Sequence, residues 1–156
     1  TTLFRSILKY WVVTHLAVGE SAPFLPGFMQ LTRLHNYGAA WSSLSGRTVL
    51  LVVFTAVLLA AVALLLIKKV VRHWTGITAC TLILSGGIGN IIDRIVHGYV
   101  VDMFDLQLFS YPVFNLADCC VVVGAILGGI YYLFLYEKYD KKKKEPDHAH
   151  DPSDPS

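Results

Sequence analysis

Three carboxylates pose the chemical question: Asp102 and Asp105 in "GYVVDMFD" and Asp118 in "FNLAD", all close to the apolar run from Val113 to Tyr136. An ionisable side chain costs about 2.5–3.5 kcal/mol inside a membrane-spanning helix, so such groups are kept where they meet a cavity, a partner or water. Two carboxylates brought together at such a place resist joint ionisation, because like-charge repulsion and loss of water act the same way. A pair sharing one proton can hydrolyse an amide. The anion takes a proton from the attacking water while the acid protonates the carbonyl oxygen.

The three acids are not equivalent. Asp118 opens an apolar helix beside Asn115, so it has two readings, a capping acid that meets unpaired N–H groups and one half of a reactive pair. Asp102 follows Gly98, a helix stop, and the short return to the next run brings it to the same membrane face as Asp118. Asp105, followed by "LQLFSYP", reads as a solvated loop acid. Upstream, "GGIGNIIDR" sets Asn90, Asp93 and Arg94 at i, i+3 and i+4 on one helical face. The plain reading of Asp93 and Arg94 is that the two charges compensate each other and neighbouring polar groups.

Other hydrolytic chemistries lack their residues. H-E-x-x-H needs a glutamate between histidines, and Glu20, Glu137 and Glu145 all stand elsewhere. The serine pattern G-x-S-G fails at Ile83 in "ILSGG", and G-x-G-D is absent. His148 and His150 form a potential chelating pair, but a solvated tail accounts for them. Cys80, Cys119 and Cys120 show no C-x-x-C and read as small buried packing residues.

The elements that must position these groups follow from composition. Of 156 residues, 54% are hydrophobic and 15% charged, far from a soluble balance. Runs at 48–67, 74–96 and 113–136 are each long enough to cross a hydrocarbon core, which takes roughly 20 helical residues. "KKVVRH" (68–73) and the tail "EKYDKKKKE" are basic, whereas 98–112 holds two Asp and no Lys or Arg. Positive-inside bias therefore puts 68–73 and the tail in the cytoplasm, with 18–47 and 98–112 outside. The tail, 137–156, is polar and aperiodic and is expected to be disordered. Its basic run serves topology and lipid headgroups, with no nucleic acid as partner. The first segment, about 1–17, is interrupted by Arg5, Lys9 and His15 and reads as a partial span, a fourth helix lacking its upstream half or one with a diverged start. Between it and the second span, Pro and Gly punctuate a loop in which "FMQLTRLH" forms a short strand.

In order and spacing, "HNYGAAWSSLSG", "GGIGNIIDRIVHGYVVDMFD" and "VFNLAD" resemble the central motifs of lipoprotein signal peptidase, signal peptidase II. The resemblance covers roughly residues 9 to 136. It implies an all-α integral membrane protein, a four-helix transmembrane bundle with its first helix apparently truncated, carrying a small extracytoplasmic β-cradle at about 19–46. It further implies a bacterial cell-membrane aspartyl endopeptidase, acting without cofactor as a monomer at the extracytoplasmic face. Such an enzyme removes the signal peptide from diacylglyceryl-modified prolipoproteins before the lipid-modified Cys and is inhibited by globomycin. On this resemblance Asp102 and Asp118 are the catalytic pair, supported by Asn36, Asn90, Asp93, Arg94 and Asn115. The family's Asp-Gln-x-x-Lys near the first helix is here "RSILK", with Arg5 and Ser6 at the acid and amide positions and Lys9 retained. Two rival classes remain open: a small membrane protein using Asp93, Asp102 and Asp118 as an ion or proton path, and a truncated inactive paralogue.

Overall fold

The computed structural model describes residues 2–38 and 46–141, with side chains from residue 6 onward. The Arg5 side chain, part of "HNYGAAWSSLSG" and the tail from 142, including His148 and His150, lie outside the described residues. In chain order the elements are α1 (Thr2–His15), β1 (Ser21–Leu25), β2 (Met29–Asn36), α2 (Thr48–Ile67), α3 (Trp74–His97), β3 (Val100–Leu106) and α4 (Leu116–Ile130). Two π-helical turns, Tyr131–Leu135 and Glu137–Lys141, prolong α4.

Three helical stretches, Thr48–Ile67, Trp74–His97 and Leu116–Leu135, are long and apolar enough to cross a membrane, matching the three apolar runs of the sequence. Within α2 Leu51 and Leu59 are buried, Val52, Val62 and Leu66 are half-buried, and much of the remaining apolar surface faces outward, as a helix wetted by lipid allows. α3 packs on both neighbours through glycines. A methyl group on Gly86 would overlap the Ala117 carbonyl oxygen and Val121 of α4, and one on Gly87 would strike Leu59 of α2. The helix backbones come this close only because those side chains are missing. α1 has a different role. Its Val12, with Leu16 just beyond it, is buried against Leu31 of β2 and Met103 of β3, so this short helix shields the sheet.

The sheet corrects one expectation and bears out another. β1, β2 and β3 form one antiparallel sheet in that order, so residues 100–106, read as part of a loop, supply its third strand. "FMQLTRLH" does become a strand, with β1 hairpinned onto it. A bulge interrupts the β2–β3 register: Leu31 pairs with Phe104, whereas Leu34 pairs with Asp102 and Asn36 with Val100. Paired residues share a face and alternate residues return to it, so the extra residue in β2 turns Asn36 to the face of Asp102.

Two local signals close the frame. α3 ends at Gly98, whose φ of 80° is the left-handed conformation glycine takes without steric cost, and β3 begins two residues later. After β3 the chain folds back so that Phe114 exchanges backbone hydrogen bonds with Phe104 at 2.8 and 3.1 Å. Asn115 thereby emerges beside β3 as the N-cap of α4.

Candidate active site

Asp102 is 2% exposed and Asn115 1%. The Asn115 side-chain oxygen accepts from the N–H groups of Ala117 (2.7 Å) and Asp118 (3.2 Å), while Asp118 Oδ2 accepts from the Asn115 N–H at 3.0 Å. This is a capping box whose acid, at the third helical position in the first turn, is Asp118. The two readings of Asp118 are therefore compatible. One oxygen caps the helix, and the other, Oδ1, accepts from Asn90 Nδ2 at 2.8 Å.

Asn115 is the hub. Its Nδ2 donates to Asp102 Oδ1 at 2.7 Å and to Asn90 Oδ1 at 3.3 Å. Asp102 Oδ2 accepts from Asn36 Nδ2 at 2.8 Å, the contact that the bulge makes available. Asn36 Oδ1 takes the Gly38 N–H (2.9 Å), and the Gly38 carbonyl accepts from Arg94 Nη2 (2.8 Å). Arg94 Nη1 closes the circuit on the Asn90 carbonyl at 3.3 Å. Hydrogen bonds thus run in a ring through α3, the segment after β2, β3 and the start of α4. In this ring each carboxylate oxygen of Asp102 has one amide donor, which fixes the plane of the group.

Asp102, Asp118, Asn36, Asn90, Asn115 and Arg94 all line one cavity of about 370 Å³. Leu51 and Thr55 of α2, Tyr111, Pro112 and Val121 complete it with a largely apolar wall. Burial pushes the Asp102 carboxyl up to about 6; hydrogen bonds from Asn115 and Asn36 oppose the rise, the negative charge of Asp118 adds to it, and Lys9 opposes it. Of the seven residues that the resemblance assigns to the site, Asp93 alone does not line the cavity. It pairs with Lys9 of α1, so the compensating partner expected in Arg94 is replaced by a residue 84 positions upstream. Arg94 bonds to carbonyl oxygens instead.

Asp105 is also corrected. Lying on β3, it accepts from Gln30 Nε2 at 2.7 Å and Thr32 Oγ1 at 3.3 Å, and so is a part-buried cross-strand group. Sequence reasoning left Asn115 merely beside Asp118, although its place just before "LADCC" is an N-cap signal. Among the described residues no three His, Cys, Asp or Glu side chains are grouped to hold a metal ion. The cavity offers two carboxylates of differing environment, a set of amide donors and apolar walls, the equipment for acid–base hydrolysis of a bond presented with an apolar chain.

Comparison with known proteins gives a consistent result. Residues 2–134 match the profile of the family described as Signal peptidase (SPase) II. A lipoprotein signal peptidase of Enterococcus faecalis is 42% identical over 136 residues, covering 87% of this chain and 84% of that protein. One from Staphylococcus aureus is 36% identical over 145 residues, covering 92% and 88%. A solved structure described as a bacterial membrane enzyme superposes with a TM-score of 0.78 at 34% identity, covering 92% of this chain and 88% of that one.

Proposed function

The chain belongs to the signal peptidase II family, and from that premise we propose that it removes signal peptides from diacylglyceryl-modified bacterial prolipoproteins, cutting before the lipid-modified Cys with Asp102 and Asp118 as its catalytic pair. One observation carries the assignment of the pair: both acids line a single cavity and one residue, Asn115, donates a hydrogen bond to each. In the substrate-free enzyme Asp102, the more deeply buried acid, keeps the shared proton. Asp118 accepts a proton from water as its oxygen attacks the scissile carbonyl carbon, and Asp102 gives its proton to the carbonyl oxygen. Return of a proton to the departing nitrogen then breaks the C–N bond. Asn36 and Asn115 orient Asp102, Asn90 orients Asp118, Arg94 secures the segment after β2, and Asp93 acts through Lys9.

In this reading α1 joins α2–α4 in a four-helix transmembrane bundle, residues 1–136 forming the peptidase domain. The sheet is the cradle at the outer leaflet, and the basic 68–73 link and the 137–156 tail are cytoplasmic. The substrate's lipid anchor brings the scissile bond to the interface, where the cavity opens beside apolar walls. The enzyme works as a monomer and a globomycin-type inhibitor fills the same cavity. The ion-path alternative has no such support, because Asp93 is tied to Lys9 while the other two acids share the cavity.

The test is cleavage of a diacylglyceryl-modified prolipoprotein by the purified chain. Asp102→Asn and Asp118→Asn are each expected to lower kcat by about 10²–10⁴-fold, the range that one acid–base group contributes. Undiminished turnover in either variant rejects the pair.

A further inference from the structure

A second cavity, of about 250 Å³, lies at the end of the helices remote from Asp102 and Asp118, lined by Lys68, Lys69, Val70, Arg72, Tyr136 and Asp140. α3 separates the two ends: its 24 residues, at about 1.5 Å of rise each, span ~36 Å. Peptide hydrolysis makes no use of this place. Three cations meet there, and among the described residues none of them is paired with a carboxylate. Asp140 does not neutralise them through a salt bridge. Its Oδ2 accepts from the Tyr131 hydroxyl and from the N–H groups of Arg72 (3.1 Å) and His73 (3.2 Å), binding the π-helical turns after α4 to the α2–α3 link. Arg72 Nε in turn donates to the Lys69 carbonyl at 2.8 Å, which braces the link around the cavity.

Basic residues here have two ordinary explanations, complementing the negative end of the α2 dipole and biasing insertion. Neither requires a cavity. Neither accounts for Lys69, whose φ of 52° is the left-handed conformation that follows a helix and that glycine adopts without steric cost. A lysine in that position keeps a cation at the cavity against the backbone's preference. Its surroundings are those of a lipid interface: Ile67, Leu133 and Phe134 are exposed apolar residues, and Trp74 and Tyr132 are exposed aromatics. Leu66 and Val62 of α2 pack against the buried cluster of Val71, Cys80 and Tyr131, as do Leu135 and Tyr136, so the cavity sits where candidate spans meet at their ends.

We infer that this cavity binds the headgroup phosphate of an anionic phospholipid, gripped by Lys68, Lys69 and Arg72 while its acyl chains lie along the exposed apolar surface of α2. The inference is independent of the peptidase reading. A headgroup at this point links α2, α3 and the prolonged α4, and it requires no rearrangement of the Asp140 bonds.

Native mass spectrometry of the full chain, released from bilayers of equal phosphatidylglycerol and phosphatidylcholine, reads the bound lipid directly. Preferential retention of phosphatidylglycerol is expected in the wild type. Lys69→Gly relieves the backbone, and Lys68→Gln with Arg72→Gln keeps the backbone N–H groups that hold Asp140; each change should reduce the preference by about fivefold per cation lost. Lys138→Gln, which removes an exposed cation outside the cavity, should leave it unchanged. Melting temperatures in pure phosphatidylcholine check that the variants fold. Equal loss in Lys138→Gln, or no loss in the cavity variants, overturns the proposal. Displacement of the lipid by millimolar inorganic phosphate also overturns it, and assigns the cavity to a free anion.

Discussion

Asp102 receives amides from two sides, and the two donors can be told apart. Asn36 touches the carboxylate and Gly38, whereas Asn115 also caps α4. Each donor pulls the Asp102 carboxyl down from the level that burial alone would set. An acid that must carry a proton is lost as pH rises, so kcat/KM, which reports the free enzyme, is expected to fall as pH rises through about 6. Asn36→Ala removes a hydrogen bond to the charged form, raises Asp102 further and moves that descending limb to higher pH. Profiles of kcat/KM against pH measure the displacement, and an unmoved limb would mean that another group sets it. Asn115→Ala should shift the limb in the same direction and also lower stability by about 1 kcal/mol through the lost cap. That Asp102 and Asp118 come to one cavity was legible in the sequence, because acids beside apolar runs need a reason. Asp105 was not, since Gln30 and Thr32 lie 75 and 73 positions away and nothing local announces them.

Among the elements, the α3–α4 contact does most to set the pair, because Asn90 reaches Asp118 one turn beyond Gly86. Gly86→Ala forces the helices apart at a backbone carbonyl, which cannot swing aside as a side chain can. A loss of about 1–3 kcal/mol is expected, together with reduced turnover as the Asn90–Asp118 bond stretches. Gly129→Ala is the control: nothing lies within 4 Å of the added methyl, so denaturant titration should show no loss. The apolar runs revealed α2, α3 and α4 because a span is written in consecutive residues. β3 was hidden. "VVDMFDL" carries two acids and reads as a connection until β2, more than sixty residues earlier, supplies the partner that makes it a strand.

At the scale of the whole molecule, Lys9 and Asp93 form the ion pair between α1 and α3, with side chains 13% and 15% exposed. Lys9→Ala strands the Asp93 charge and should cost about 3–5 kcal/mol, whereas Lys9→Leu combined with Asp93→Leu should recover most of that stability. Thermal unfolding in detergent distinguishes the single from the double variant, and equal losses would show that the pair is not what holds α1. Lys9 stood out in the sequence as the last residue of a partly altered motif, but its partner across 84 positions did not. The ring of hydrogen bonds through Asp102 also has an order in time. Asn115 and Asp118 stand at the head of α4, which leaves the ribosome after α1–α3 and all three strands, and until it inserts Asp102 has neither its amide hub nor the second acid of the cavity. The unfinished chain therefore holds one acid of the proposed pair without the other, and the proposed reaction can begin only once the head of α4 has been made.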